Sequence, residues 1–461
     1  MRAAGDRIPL HPRSVRGRFR RLKWGILLLA YGVYFLLPWL RWERPDGPDQ
    51  AVLLDLPARQ FHLLGLSVHP QDLTWLILVL LMAALLLFWV TGWVARVFCG
   101  YFCFQTLWTD VFMAIERRVQ GDRGARLRLE REGPAGRRLV LRAVTHGLWL
   151  LVALATGVTF TLYWGDAPTL AAALVGGTAP FAAYATAGLL TLTTYVLAGW
   201  LREQVCTYMC PYARFQSVMV DRDTLIVSYD PARGEGTAGR APLARDLRTR
   251  TARRARGVGD CIDCGYCVQV CPVGVDIRRG LQYPCIHCAL CVDACDRIMD
   301  RLGWPRGLVR YTSQNALEGR PVRRFRPRLL GYALALAAVT TLLVWDVAHQ
   351  APLEASVHQV RQPLFVRLVD GGVQNGYEIK LNNKTGRPLT LALRVSGLPG
   401  AVLDTGRIDT VTLAPGQRIT LMARVRHPDP PAARHPLVFR IEALAPEGLP
   451  GLRVETQFIA P

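Results

Sequence analysis

The cysteines carry the chemistry. All twelve lie between residues 99 and 295. Eight fall into two runs of one pattern, Cys261-Ile-Asp-Cys264-Gly-Tyr-Cys267-Val-Gln-Val-Cys271 and Cys285-Ile-His-Cys288-Ala-Leu-Cys291-Val-Asp-Ala-Cys295. C-x2-C-x2-C-x3-C, repeated, is the ligand spacing of paired [4Fe-4S] cubanes. Two-residue gaps let a tight loop aim three thiolates at one cubane, and the fourth ligand comes from the other run. The spacing assigns Cys261, Cys264, Cys267 and Cys295 to one cluster and Cys285, Cys288, Cys291 and Cys271 to a second. A zinc ribbon favours paired C-x2-C units instead, and a secreted disulfide framework would spread its cysteines more widely. Pro272 follows the first run and Asp296 the second, a difference expected to change the local turn rather than ligation.

The other four form two C-x3-C pairs, Cys99-Gly-Tyr-Phe-Cys103 and Cys206-Thr-Tyr-Met-Cys210. If each pair is helical, its thiols are i,i+4 neighbours on one face. Four thiols from two helix ends could bind one soft ion, hold a third cluster, or form redox disulfides. Met209 adds a thioether within the second pair, and Met219 lies nearby. Small cysteines also pack at helix ends with no other role.

Both pairs adjoin long apolar runs. A bilayer core needs about 20 apolar residues as helix, and five stretches qualify: 24–40, 73–98, 139–164, 180–201 and 328–347. Tryptophans 24, 39, 42, 93, 164 and 200 fall near their ends, as an aromatic belt would place them. The first stretch follows a basic leader with no small-residue cleavage pattern, so it is expected to be an uncleaved anchor. Arginine and lysine number eight in the leader, eight in 99–138 and more than twenty in 202–327. Residues 41–72 hold three and 165–179 none. The positive-inside rule then puts the leader, both C-x3-C pairs and the cluster runs on the cytoplasmic side and the C-terminus outside. Most of the net charge of +21 is thereby topological, and no nucleic-acid motif accompanies it.

Arg142 and His146 share a face inside the third span. An orienting or structural role is expected over metal ligation. His62 and His69 lack ligand spacing. Residues 221–260, rich in Gly, Ala and Arg, are expected to form a linker, with Arg253, Arg254 and Arg256 solvated or facing lipid. Beyond the fifth span, runs at 377–381, 389–395, 418–425 and 437–442 alternate or are rich in strand formers. Asn382-Asn383, Thr385-Gly386, Leu398-Pro-Gly400, Pro415-Gly416 and Pro428-Asp-Pro-Pro431 separate them. This predicts a cysteine-free β-sandwich. Asn383-Lys-Thr385 fits a glycosylation sequon, but a turn asparagine is the expected reading.

The fold class is thus multi-domain α + β, with a five-helix transmembrane bundle, an inserted cytoplasmic bacterial-type 2[4Fe-4S] ferredoxin domain and a C-terminal immunoglobulin-like β-sandwich. The expected layout is leader 1–23, four spans with the C-x3-C pairs 24–220, linker 221–255, ferredoxin 256–312, fifth span 328–347 and sandwich 352–461.

Four separated motifs together resemble the FixG/CcoG (RdxA-like) family of cytochrome c oxidase accessory proteins. They are Cys99-Gly-Tyr-Phe-Cys103-Phe-Gln-Thr-Leu-Trp108, Cys206-Thr-Tyr-Met-Cys210-Pro-Tyr-Ala-Arg-Phe-Gln216, Ser228-Tyr-Asp-Pro-Ala-Arg-Gly-Glu235 and Gly303-Trp-Pro-Arg-Gly-Leu-Val-Arg-Tyr311. Phe104 departs from the proline usual there. The resemblance implies a bacterial inner-membrane protein that reduces Cu(II) to Cu(I) in the cytoplasm during assembly of the cbb(3)-type oxidase, and the chemistry of Cys99, Cys103, Cys206 and Cys210, with Met209 beside them, makes them the expected copper or redox site. The implied partners are membrane lipid, a cytoplasmic electron donor, a copper transporter or chaperone and oxidase assembly factors. Nucleic acid is not among them, and a homodimer is allowed. Two alternatives stand beside it: an electron conduit of a respiratory complex, like NapH and NosR-type ferredoxins, and an assembly scaffold with structural clusters.

Overall fold

A computed structural model describes residues 10–43, 48–57, 60–68, 72–385, 387–406, 410–429, 433–445 and 451–461. His69, Gly386, Pro430 and Pro431 lie outside them. The chain divides into a unit built from Met1–Trp42 with Gln50–Leu343, and a second from Glu43–Asp49 with Val344–Pro461.

Among the described residues, five helices are long and apolar enough to cross a membrane: Arg18–Trp39, Leu73–Trp93, Ala135–Leu162, Phe181–Leu201 and Pro327–Ala348. The second stops at Trp93, short of the expected 98, because Val94 leaves helical geometry and Ala95 turns to φ +20. The fourth widens into a π-helix over Tyr195–Leu201. The third and fourth approach so closely at Gly157 that a Cβ there would overlap the Ala187 carbonyl, the kind of contact small residues permit between membrane helices.

The 99–138 segment contains two further helices, Phe104–Gln120 and Arg123–Glu132. Asp110 on the first is buried and accepts two hydrogen bonds from Arg20, at 2.8 and 2.9 Å, with Lys23 3.6 Å away. Glu116, also buried, pairs with Arg126 and Arg202. Removing one partner of such a buried pair leaves an uncompensated charge, worth about 3–5 kcal/mol. These pairs therefore pin the helix to the ends of the first and fourth spans.

The expected linker is a structured wrap around the cluster runs. Ile226–Tyr229 pairs antiparallel with Val309–Thr312, and Val227 donates its N–H to His287 Nδ1 at 3.0 Å. Arg253 is fully buried, neither solvated nor lipid-facing. Its guanidinium donates to the carbonyls of Gly259, Ala241 and Cys261 at 2.8–2.9 Å. Charge and glycine content suggested a loose segment, whereas the carbonyls of a tight loop need a buried donor.

The leader docks on the same region. Asp293 accepts the N–H groups of Phe19 and Arg20, capping the first span from a distant helix and satisfying donors a helix start leaves open. A Cβ on Gly17 would overlap that carboxylate.

The second unit holds two antiparallel sheets. One orders Val402–Asp404, Arg418–His427, Val373–Asn383 and Leu353–Gln359, with Val366–Arg367 beside the third. The other orders Thr410–Leu413, Leu389–Ser396, Ala433–Ala445 and Leu452–Ala460. Alternate residues Tyr377, Ile379 and Leu381 are buried with Phe439 and Phe458 between the sheets, as period-two patterning requires. Asn383 is buried, its Nδ2 donating to the carbonyls of Arg387, Leu413 and Ala414, a turn role.

Candidate redox site

Two cavities each bring together four cysteines. Cys261, Cys264, Cys267 and Cys295 line one; Cys271, Cys285, Cys288 and Cys291 line the other, with Cys267 at its edge. These are the 3 + 1 sets that the spacing predicts. The loops share a backbone path. Asp263 (φ 50) and Gly265 (φ 63) match His287 (φ 51) and Ala289 (φ 57), all left-handed. Two such turns per loop let three thiols converge. The runs differ where Pro272 and Asp296 differ. The first helix ends at Gln269, whereas the second continues through Asp296 to Leu302. Proline cannot continue a helix, and Asp296 instead accepts the Gly307 N–H at 2.9 Å.

The donor sets fit iron–sulfur groups. Burial pushes the thiol of Cys271 up to about 11 and those of Cys267 and Cys285 up to about 12, so deprotonation there calls for a bound cation. Val275 N–H points at Cys271 Sγ at 3.3 Å. The Tyr229 hydroxyl is buried at the first cavity beside Cys261, a donor available to a cluster ligand or sulfur.

The C-x3-C pairs also converge. Cys99, Cys103, Cys206 and Cys210 lie within electrostatic reach of one another. Neither pair lies on one helix. Cys99 sits in the short helix Val97–Tyr101, while Cys103 (ψ 125) is the extended residue before Phe104–Gln120. Likewise Cys206 sits in the π turn Val205–Met209, while Cys210 (ψ 110) precedes Pro211–Met219. Pro211 forces this break by disfavouring helix at the residue before it. Phe104 occupies the equivalent first helical position, where proline is tolerated but not required. The chain there has the same geometry without it.

Cys99 Sγ donates to Gln216 Oε1 at 3.0 Å, and Gln216 Nε2 donates to Thr91 at the end of the second span. Arg96 Nε reaches the same Oε1 at 3.4 Å. Arg96 is buried; Nη1 donates to the Tyr283 carbonyl at 2.5 Å, and Nη2 has no partner. Burial pushes Cys99 up to about 11 against the opposing pull of Arg96, and Cys206 up to about 12. At Cys103 burial also raises the thiol, while the N–H groups of Thr106 and Gln105 work the other way. Met209 is 59% exposed, and Met219 is buried on the helix that carries Gln216.

The quartet abuts the second cavity. A Cβ on Gly100 would lie 2.7 Å from the Ile286 oxygen and 3.1 Å from the Cys288 backbone. Tyr101 Oη donates to the Cys288 carbonyl at 3.1 Å and Tyr311 Oη to that of His287 at 2.5 Å. Sequence reasoning missed Arg96, Tyr101 and Gln216. The glycine between Cys99 and Tyr101 was the one visible signal, since close backbone approach favours glycine.

His146 stacks on Trp200 and meets the Tyr195 hydroxyl at 2.9 Å. Arg142 reaches Glu130 at 3.9 Å. His62 is buried against Ser67 in a small sheet.

Residues 201–314 match a sequence model described as a 4Fe-4S dicluster domain, and 343–461 match one described as the IG-like fold at the C-terminal of FixG. The nitrogen fixation protein FixG of Rhizobium meliloti (strain 1021) is 40% identical over 445 residues, covering 89% of this chain and 83% of the relative. Protein RdxA of Cereibacter sphaeroides is 43% identical over 404 residues, 86% of this chain and 83% of the relative. Protein RdxB of the same organism is 40% identical over 462 residues, 95% and 94%. With five membrane-length helices among the described residues, a dicluster domain and relatives matched over 83–94% of their length, the chain belongs to the FixG/RdxA family of membrane iron–sulfur electron-transfer proteins.

Proposed function

We propose that the protein reduces Cu(II) to Cu(I) at the cytoplasmic face of the bacterial inner membrane for assembly of a cbb(3)-type cytochrome oxidase. Cys261, Cys264, Cys267 and Cys295 hold one [4Fe-4S] cluster, and Cys285, Cys288, Cys291 and Cys271 the other. When bound, the clusters supply electrons one at a time. Cu(II) is the substrate, taken up by Cys99, Cys103, Cys206 and Cys210; gain of one electron gives Cu(I). Thiolates prefer the reduced ion, so binding itself favours reduction. Met209 faces outward and is left out of the ligand set. The observation that carries this reading is the contact of Gly100 with the Cys288 backbone, which sets the quartet against a cluster-bearing loop. A cytoplasmic electron donor supplies the reductant, a copper transporter or chaperone the ion, and the sandwich docks oxidase assembly factors outside.

The test reduces purified protein anaerobically, adds Cu(II), and traps Cu(I) with a colorimetric chelator. The wild type is compared with a variant carrying serine at 99, 103, 206 and 210, at matched cluster iron. Cu(I) from the wild type alone supports the reading; equal Cu(I) from both ends it.

A second reading, an electron conduit with a third cluster at the quartet, draws on one observation. Four cysteines converge at the quartet, as four converge in each of the two cluster sets. Iron content separates the readings: about eight per chain against about twelve.

A further inference from the structure

A cavity of about 900 Å³ opens where the leader, the Phe104–Gln120 helix and the cluster domain meet. Its walls carry Arg13 and Arg16 from the leader, Arg20, Arg21 and Trp24 from the first span, Arg117 and Arg118 from the second element, and Arg297 from the third. Two carboxylates join them, and both are spent. Asp110 is held by Arg20 and Lys23, and Asp122 accepts the Ser14 N–H and hydroxyl and the Arg123 N–H.

Four of the arginines are not spent. Among the described residues, Arg16, Arg21, Arg118 and Arg297 make no ion pair. Arg20 is 8% exposed, yet its Nη2 has no hydrogen-bond partner. Burial chiefly, and the neighbouring Arg20 after it, pull the Arg117 guanidinium below its ordinary pKa against the opposing pull of Asp110 and Asp122. Such a cavity calls for a multivalent anion, and planar guanidinium forks match phosphate.

Position selects the source. Arg20, Arg21 and Trp24 sit on the opening turns of a membrane span, at the depth of lipid headgroups. Val270 and Pro272, which flank Cys271, and Leu290, which precedes Cys291, line the same cavity.

We propose that this cavity seats the phosphate headgroup of an acidic phospholipid, which bridges the leader, the first span and the loops of the second cluster. The inference rests on the membrane reading of the first span and is independent of copper.

The test titrates the full-length, cluster-loaded protein in detergent with cardiolipin, with phosphatidylcholine and with inorganic pyrophosphate, reading retention by native mass spectrometry. The expected result is preferential retention of cardiolipin, weakened roughly fivefold for each arginine neutralised and about a hundredfold in an R21Q/R118Q/R297Q variant. An R21K/R118K/R297K variant keeps the charge and should retain the preference, which separates loss of the site from loss of fold. If the triple glutamine variant does not fold, R297Q alone carries the fivefold test. Equal retention of cardiolipin and phosphatidylcholine, or retention unchanged by R297Q, overturns the proposal. Tight pyrophosphate binding without cardiolipin retention also overturns it, reassigning the cavity to a soluble phosphate anion.

Discussion

The two cysteine loops share a backbone and differ in surroundings. In the first, Asp263 and Cys264 are exposed. In the second, every residue from Cys285 to Leu290 is buried, with Gly100, Tyr101 and Arg96 packed against or beside it. A repeated local motif therefore builds two equivalent cages, and tertiary packing makes them inequivalent. On the proposed reading, a soluble donor approaches the first cage, and the second faces the C-x3-C quartet.

The largest expected effect comes from the crossed ligands. Cys295→Ser and Cys271→Ser should each lower iron from about eight to about four per chain, measured by iron and labile-sulfide analysis. With a small chemical reductant able to reach either loop, only Cys271→Ser should stop delivery to the quartet. Equal losses in Cu(I) formation would erase the proposed direction.

Gly100→Ala tests the contact between loop and quartet. Its Cβ would press on the Ile286 oxygen and the Cys288 backbone, and relief of that overlap should cost about 1–3 kcal/mol. The expected outcome is slowed Cu(I) formation in stopped flow with iron content unchanged. A rate equal to wild type would show that the contact plays no part.

Arg253→Gln removes a buried guanidinium from the carbonyls of Gly259, Ala241 and Cys261. The expected loss is about 2–4 kcal/mol, seen as faster chelator bleaching of the first cluster alone. Bleaching of both clusters together would show one cooperative domain rather than two separable cages.

The smallest effects lie in the left-handed positions. Gly265→Ala introduces a Cβ with room around it but with φ +63, so about 1 kcal/mol of destabilisation is expected. Ala289→Gly, at φ +57, should stabilise by a similar amount. Thermal unfolding of the cluster-loaded protein checks both, and shifts of the same sign would break the equivalence of the loops.

Much of this was legible because the signals are local. Spans follow from runs of apolar residues, the 3 + 1 cysteine sets from short gaps, and the strands from period-two alternation. The linker was misread because Gly, Ala and Arg content indicates solvation only when no partner exists. Arg253 finds three carbonyls that the sequence does not place near it. Helical C-x3-C pairs failed for a related reason: spacing of four is compatible with a helix, but Pro211 breaks the second pair's helix, and the first breaks at the matching place without proline. The 104–120 helix escaped notice because its mixed polarity looks like a charged loop until Arg20, Lys23 and Arg202 bury Asp110 and Glu116.

The sequence by itself determined which cysteines fall into two matched runs, where the membrane-length helices lie and where strands replace helices, since these depend on neighbours within about one heptad or on composition. Only the tertiary structure decided that Asp293 caps a helix hundreds of residues away, that Arg96 lies beside the quartet with an unpartnered Nη2, and that Gly100 touches the Cys288 loop. Those contacts join segments far apart in the chain, and their geometry depends on how whole helices pack.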